Sequence, residues 1–480
     1  MTDLNILQDH VRFGDPHVTS DDADRLSILS NVFEALVART ADGSFVPILA
    51  RSWTLSDDAR TWHFDLRDNV RFHDGKPFDA DDVVRSLRRV RDEAVGGELG
   101  TTGVISSYLR DVRIAGDSAY GVQLSTQEPM ADLLDLLADI PILSDESIEA
   151  LSRGEYIGTG RYRIVDYNAY SVRMALVESD RRTHRFCPER LSWSSIEYDD
   201  ERRERFSRRE RTIIAGVTPD SAKRLERLDK AMIIRSQTSV CATFMFNLLS
   251  GVATSRALRR AINYAIDVDS IIADVAGGEA VALKGPMTSQ HLGFNPNAPG
   301  FPYDPDLARS LIDDAGLDQP IELVLDVPTT LPDEARDLAI ILSEYLAAVG
   351  ITVDIRVHED RPAYAETVRT KQINDAACFD SSPVSTFRLL REKFHSGVAG
   401  PWWLGYDNRY VNELIDRASR TADIETRRVL YQKAFAMISD DAPWVFLYNP
   451  YRLTAISETL AEDTSPAGWS PTTGGLLKFR

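Results

Sequence analysis

Eight histidines and three cysteines are the side chains of this 480-residue chain best suited to covalent or metal chemistry. No two histidines stand four residues apart, the spacing that puts two ligands on one helix face. No His-Glu-x-x-His, Gly-x-Ser-x-Gly or phosphate-loop segment occurs. His63 and His73 read as strand and turn packing residues. Cys187, Cys241 and Cys378 are odd in number and widely spaced, so buried free thiols are expected rather than a disulfide framework or a metal set. Carboxylate pairs carry no information in a chain with 74 Asp and Glu residues. Binding is therefore expected rather than catalysis, with no metal and no cofactor; a hydrolase on a binding scaffold is the minor alternative.

Two basic or flexible patterns also fail as sites. Ten arginines lie between Arg181 and Arg211, the spacing of a nucleic-acid patch. Glu189, Asp199, Asp200, Glu201, Glu204 and Glu210 are interleaved with them, so a solvated helix with i, i+4 ion pairs is expected. The net charge of −19 argues the same way, against general binding of nucleic acid or anionic membrane. Gly96, Gly97, Gly100 and Gly103 lack the Lys-Ser/Thr pair of a phosphate cradle and read as a surface loop. Trp402 and Trp403 are different. They follow a glycine-containing loop, and loop tryptophans are costly to expose unless they wall a pocket or fill a core gap. Both are candidate ligand contacts.

The elements that would position such residues are legible in part. Thr61–Leu66 alternates, which places Trp62, Phe64 and Leu66 on one strand face. His73-Asp74-Gly75-Lys76 is a tight turn, and Asp79 or Asp81 caps a helix with Val83, Val84, Leu87 and Val90 as its apolar stripe. A helix carrying Leu26, Leu29, Val32, Phe33 and Leu36 is expected after Asp15-Pro16-His17. Further on, Asp304-Pro305 starts a helix with Leu307, Leu311 and Ile312 on one face, and Gly316 stops it. Glu334 to Val349 is a second helix stopped by Gly350, and the strand Ile351–Val357 follows. Alternating helices and strands imply an α/β fold with a sheet covered on both faces. No apolar run approaches the roughly 18 residues of a membrane helix. The N-terminus MTDLNILQDH has neither a basic nor an apolar leader region. Two readings stay open: a mature exported protein with an added Met, or an intracellular relative.

The segment LARSWTLSDDARTWHFDLRDNVRFHDGKPFDADDVVRSL closely resembles the signature of the bacterial extracytoplasmic solute-binding proteins, family 5, the peptide-, nickel- and opine-binding receptors of ABC importers. Asp15-Pro16-His17, Gly158-Thr159-Gly160-Arg161-Tyr162, the helix from Arg256 to Asp267 and Ala442–Tyr448 extend the resemblance over residues 10–460. It implies a two-lobe, type II periplasmic-binding-protein-like fold with the ligand cleft between lobes. Residues 1–40, 156–243 and 445–480 would form lobe one, 41–155 its extra subdomain, and 244–444 lobe two. It also implies a monomer that closes by hinge motion on a small-molecule solute and delivers it to ABC permease subunits, in a periplasmic or extracytoplasmic setting. An intracellular ligand sensor on the same fold is the alternative.

Site residues follow from the same resemblance. Asp380, in Ala377-Cys378-Phe379-Asp380-Ser381-Ser382-Pro383, falls where peptide-binding relatives carry an Asp that holds an α-ammonium. Phe379 stands beside it. Thr19 matches a cleft-facing position, and Phe244, Phe246 and Asn247 lie on the strand that crosses between lobes. The Arg that pairs with a dipeptide carboxylate in relatives is missing from Val327–Pro332. A free dipeptide is thereby disfavoured, and a neutral or cationic solute, a sugar-containing opine or another small metabolite is favoured.

Overall fold

The structure is a computed structural model that describes residues 3–18, 22–40, 43–95, 108–116, 118–177, 188–208, 211–228, 231–318, 320–330, 332–458, 460 and 476–479. The chain divides into a first unit, Met1–Ser236 with Arg452–Arg480, and a second, Gln237–Tyr451. The expected lobe boundaries, 243/244 and 444/445, fall instead inside or at the start of the strands Ala242–Phe246 and Trp444–Ser457.

In the first unit, Asp3–Gln8 is a buried parallel strand. It pairs with Arg190–Ser195 on one side and Thr212–Ala215 on the other, with Ile6 opposite both Trp193 and Ile213. The final residues of Trp444–Ser457 pair antiparallel with Thr212–Ala215, Ala231–Gln237 pairs with Trp444–Ser457 in turn, and the hairpin Tyr162–Asn168/Ser171–Leu176 extends the other side. Leu4, Ile6, Ile28, Val32, Tyr162 and Trp193 form the core. Apolar burial of this kind drives the folding of each unit.

A separate four-stranded sheet orders Ala50–Leu55, Thr61–Leu66, Gly121–Thr126 and Leu109–Ile114. Trp62, Phe64 and Leu66 are buried on one face as their alternation predicts. Gly75 takes φ +92°, and the cap of Ala80–Arg89 is Asp79, in a reciprocal box with Asp82. His73 ties this turn to the glycine segment, donating from Nε2 to Gly160 O at 2.7 Å and accepting the Gly158 N–H at Nδ1.

That glycine segment explains a departure from expectation. The helix after Asp15-Pro16-His17 spans only Ala23–Val32; Phe33 is extended and Val37–Arg39 is a strand. Gly160 N–H takes the Val32 carbonyl at 2.9 Å, and a Cβ at Gly158 would lie 2.0 Å from that oxygen. Close approach of another backbone therefore ends the helix where periodicity alone would continue it. Asp15-Pro16-His17 is itself a brace. Arg89 pairs with Asp15 and donates to His17 Nδ1 at 2.9 Å, while His17 Nε2 donates to Pro141 O at 2.8 Å.

In the second unit Ile351–His358, Ile321–Pro328 and Ala376–Cys378 run parallel, and Ala242–Phe246 and Trp444–Tyr451 continue antiparallel. Alternate residues feed two cores. Phe244, Phe246 and Cys378 enter one, and Met245, Ala377 and Trp444 the other, so this sheet is covered on both faces as expected. Asp304 caps Pro305–Ala315 and Gly316 ends it in the left-handed region. Its buried stripe is Ala308 and Ile312, whereas Leu307 is exposed.

The arginine-rich region forms the helix Asp199–Arg208, with Arg205 paired to Glu201 at 2.6 Å and Arg208 paired to Glu204. Residues 181–187 of that region, with Cys187, its residues 209–210, and the loop glycines from Gly96 to Gly103 lie outside the described residues. Cys241 and Cys378 are buried free thiols, and burial pushes both pKa values upward.

Candidate functional site

Open α/β sheets bind ligands beyond the carboxyl ends of their parallel strands, because loops there are free to diverge while the sheet holds them in place. Each unit offers such a place.

In the second unit the three parallel strands end at Pro328, His358 and Cys378. Phe379 and Asp380 follow directly. Their backbone is clamped to the neighbouring strand: Phe379 N–H to Thr243 O at 3.1 Å, Thr243 Oγ1 to Phe379 O at 3.0 Å, and Cys241 and Ser381 exchanging bonds of 2.8 and 3.0 Å. The Phe379 ring lies 4.6 Å from that of Trp402, and the Arg361 guanidinium stands 4.6 Å from the Phe379 centroid. Lys393, buried, lies 5.9 Å from the Trp402 ring and 5.8 Å from that of Trp444. Both contacts are of cation–π type. Asp380 is half-buried, and its charge helps to raise the pKa of Cys241, Cys378 and Tyr448.

Trp402 belongs to a loop held from several sides. Lys371 Nζ donates to Gly400 O at 3.1 Å and Pro401 O at 2.5 Å, and burial lowers its pKa to about 8. Trp403 Nε1 donates to Tyr406 O at 2.7 Å, and Leu248 N–H takes Leu404 O at 2.8 Å. Gly400 sits where a Cβ would be 2.4 Å from Glu392 O. A ring presented on so fixed a loop loses little freedom when it meets a partner.

The structure thus sets Phe379 against Trp402, with Arg361 over the Phe379 ring, Lys393 near Trp402 and Asp380 next to Phe379 on the clamped backbone. Trp403 braces the same loop. Phe244 and Phe246 are wholly buried core residues. Asn247 is also buried; its side chain donates to Ile373 O and accepts Leu249 N–H, which fixes the strand end. Thr19 lies outside the described residues.

The first unit contains a hollow of about 400 Å³ that no sequence pattern announces. It opens beyond the carboxyl ends of Asp3–Gln8 and Thr212–Ala215, beside Asp22 at the start of Ala23–Val32. Asp9, His10, Asp24, Arg202 and Arg452 complete its polar wall. His10 Nε2 bonds Asp22 at 2.7 Å, and this bond raises the His10 pKa against the opposing effect of burial. Arg452 pairs with Asp24 at 2.5 Å across 428 positions of sequence.

A family model for bacterial extracellular solute-binding proteins, family 5 (its middle region), matches residues 44–381, most of the chain. The chain belongs to that family. It is 25% identical over 459 residues to the di/tripeptide-binding protein 2 of Pseudomonas aeruginosa, covering 88% of this chain and 85% of that one. Among solved structures, HbpA2 from Haemophilus parasuis superposes with a TM-score of 0.82 at 20% identity, covering 95% and 96% of the two chains. The ABC transporter substrate-binding protein CtaP from Listeria monocytogenes gives 0.80 at 19% identity, covering 99% and 97%. The fold is that of the type II periplasmic binding proteins, and the family is one of binding proteins. Among the described residues no helix is long and apolar enough to cross a membrane.

Proposed function

We propose that this solute-binding protein serves an ABC import system. It takes up a small organic solute by hinge motion at its two chain crossings and hands it to a permease, outside the cytoplasm and as a monomer. The reading rests on one observation above all: just beyond the carboxyl end of the parallel strand Ala376–Cys378, Phe379 stacks near Trp402 while Asp380 follows on the same clamped backbone. Rings and one half-buried carboxylate are the ingredients of a small-molecule site, with apolar walls for affinity and few polar groups for orientation. Asp380 anchors a donor group of the solute. Trp402 and Phe379 form its wall.

The Pseudomonas aeruginosa relative is a di/tripeptide-binding protein, and the Listeria monocytogenes protein is an ABC transporter substrate-binding protein. Those associations favour the import reading over an intracellular sensor. The test is a thermal-shift screen of peptides, opines and sugar conjugates. A true solute raises the melting temperature in step with its concentration. Silence across the screen would remove the reading, and recovery of the native protein from cytosol would remove the import role.

A further inference from the structure

Glu334 stands at the start of the helix Ala335–Ala347 in the second unit, where a side chain ordinarily caps the first turn. It makes no such bond. Its carboxylate instead accepts from the hydroxyl of Tyr448, Oη donating to Oε1 at 3.1 Å. A local rule broken in this way is characteristic of functional positions.

Strand register brings a second carboxylate to the same face. Phe244 pairs with Cys378 and Cys241 with Ser381, which places Asp380 opposite Ala242. Ala242 in turn pairs with Tyr448. Residues directly opposite in a ladder share a face, and neighbours along a strand alternate. Ala242, Cys378 and Tyr448 enter the core that Ala335–Ala347 covers, whereas Phe379 enters the other. Asp380 therefore lies on the side of Tyr448 and Glu334, and Phe379 on that of Trp402.

The two carboxylates act on one place. Burial is the main cause that raises the pKa of the Cys378 thiol and the Tyr448 hydroxyl, and the charges of Asp380 and Glu334 raise both further. Arg361, over the Phe379 ring, opposes them at Cys378, and Lys393 is felt at Cys241, whose neighbours form the other core. Two carboxylates against the Arg361 guanidinium leave one formal negative charge on this face. Glu334, Asp380 and Arg361 are all half-buried, open to a solute yet only weakly screened by salt. A neutral or anionic group brought here leaves that charge uncompensated. A protonated amine compensates it and offers several hydrogen-bond donors to oxygens that only accept.

We propose that Glu334 joins Asp380 in holding a protonated amine, and that the solute is a net cation of amine type. The proposal rests on the receptor reading above and names its substrate class. Tyr448 is a positioning residue. Its hydroxyl fixes the Glu334 carboxylate, and the ring, 1% exposed, does not itself meet the solute.

The test uses the full chain in thermal shift and calorimetry, with putrescine, spermidine and agmatine beside D-glucose, glycyl-leucine and citrate. At least one amine is expected to raise the melting temperature and bind. Glu334→Gln and Asp380→Asn, which remove charge and keep shape, are each expected to weaken that amine at least tenfold. Tyr448→Phe should weaken it several-fold in the wild-type background and hardly at all beside Glu334→Gln, a coupling that a purely structural role would not produce. Silent amines beside a binding sugar, dipeptide or citrate would overturn the cationic class and leave the receptor reading standing. An amine bound with unchanged affinity in Glu334→Gln would overturn the role of Glu334. Silence of the whole panel would remove both.

Discussion

The two candidate regions solve the same problem with opposite materials. The first unit's hollow is walled by acidic and basic side chains that pair off, His10 with Asp22, Arg452 with Asp24 and Arg202 with Asp9. The second unit's corner is walled by rings, Tyr364, Phe379 and Trp402, with Arg361 over Phe379 and Lys393 near Trp402 and Trp444. Charge networks depend on protonation, whereas ring packing depends on shape and scarcely on pH. Acid should therefore separate the two units, and truncation of rings should separate them the other way.

The largest expected effect is acid destabilisation of the first unit through His17. Burial holds its folded pKa at about 4, below the usual 6.5 of the unfolded chain. The unfolded state then binds the extra proton more readily, so stability is lost as pH falls from 6.5 to 4, by up to about 3 kcal/mol. His10 works in the other direction: its pKa is raised, so its contribution fades as pH rises through that value. Calorimetric unfolding of the wild type and of His17→Gln across this window isolates the first term. A wild-type transition that does not move relative to the variant would break the contrast.

Gly400→Ala comes next, because its Cβ would press on Glu392 O at 2.4 Å. A loss of about 1–3 kcal/mol in the second unit is expected from such overpacking, read as a lowered denaturant midpoint. Trp402→Ala should cost about 2 kcal/mol of solute binding, roughly 30-fold in Kd by titration calorimetry, and little stability. Unchanged affinity would take the ring corner out of the site. Asp380→Ala should weaken binding about tenfold, near 1.4 kcal/mol. The smallest effect belongs to Lys371→Met, which frees the Gly400–Pro401 carbonyls. A several-fold rise in Kd is expected, and Lys371→Arg should recover part of it.

Local features were legible where a residue and its partner are close in sequence. Asp79 with Asp82, the alternation of Trp62, Phe64 and Leu66, and the Asp304 cap with its Gly316 stop all act within a few positions. The helix running on through Leu36 was an error of the same logic. Its end is set by Gly158 and Gly160, more than a hundred residues away along the chain, pressing on Val32. The site split along the same line. Asp380, Phe379 and Trp402 were visible as candidates, while Arg361 and Lys393 carried no local mark.

By itself the sequence determined the kind of protein: its turns, caps and strand alternation, and the long resemblance that the family match over residues 44–381 bears out. Only the tertiary structure decided which candidates meet. It sent Phe244 and Phe246 into a core and set Phe379 against Trp402. It also joined Asp24 to Arg452 at the hollow, across 428 positions of chain. The reason is physical. Caps and periodicities are properties of neighbouring dihedrals, whereas a site is a coincidence of distant residues that exists only once the sheet has set their register.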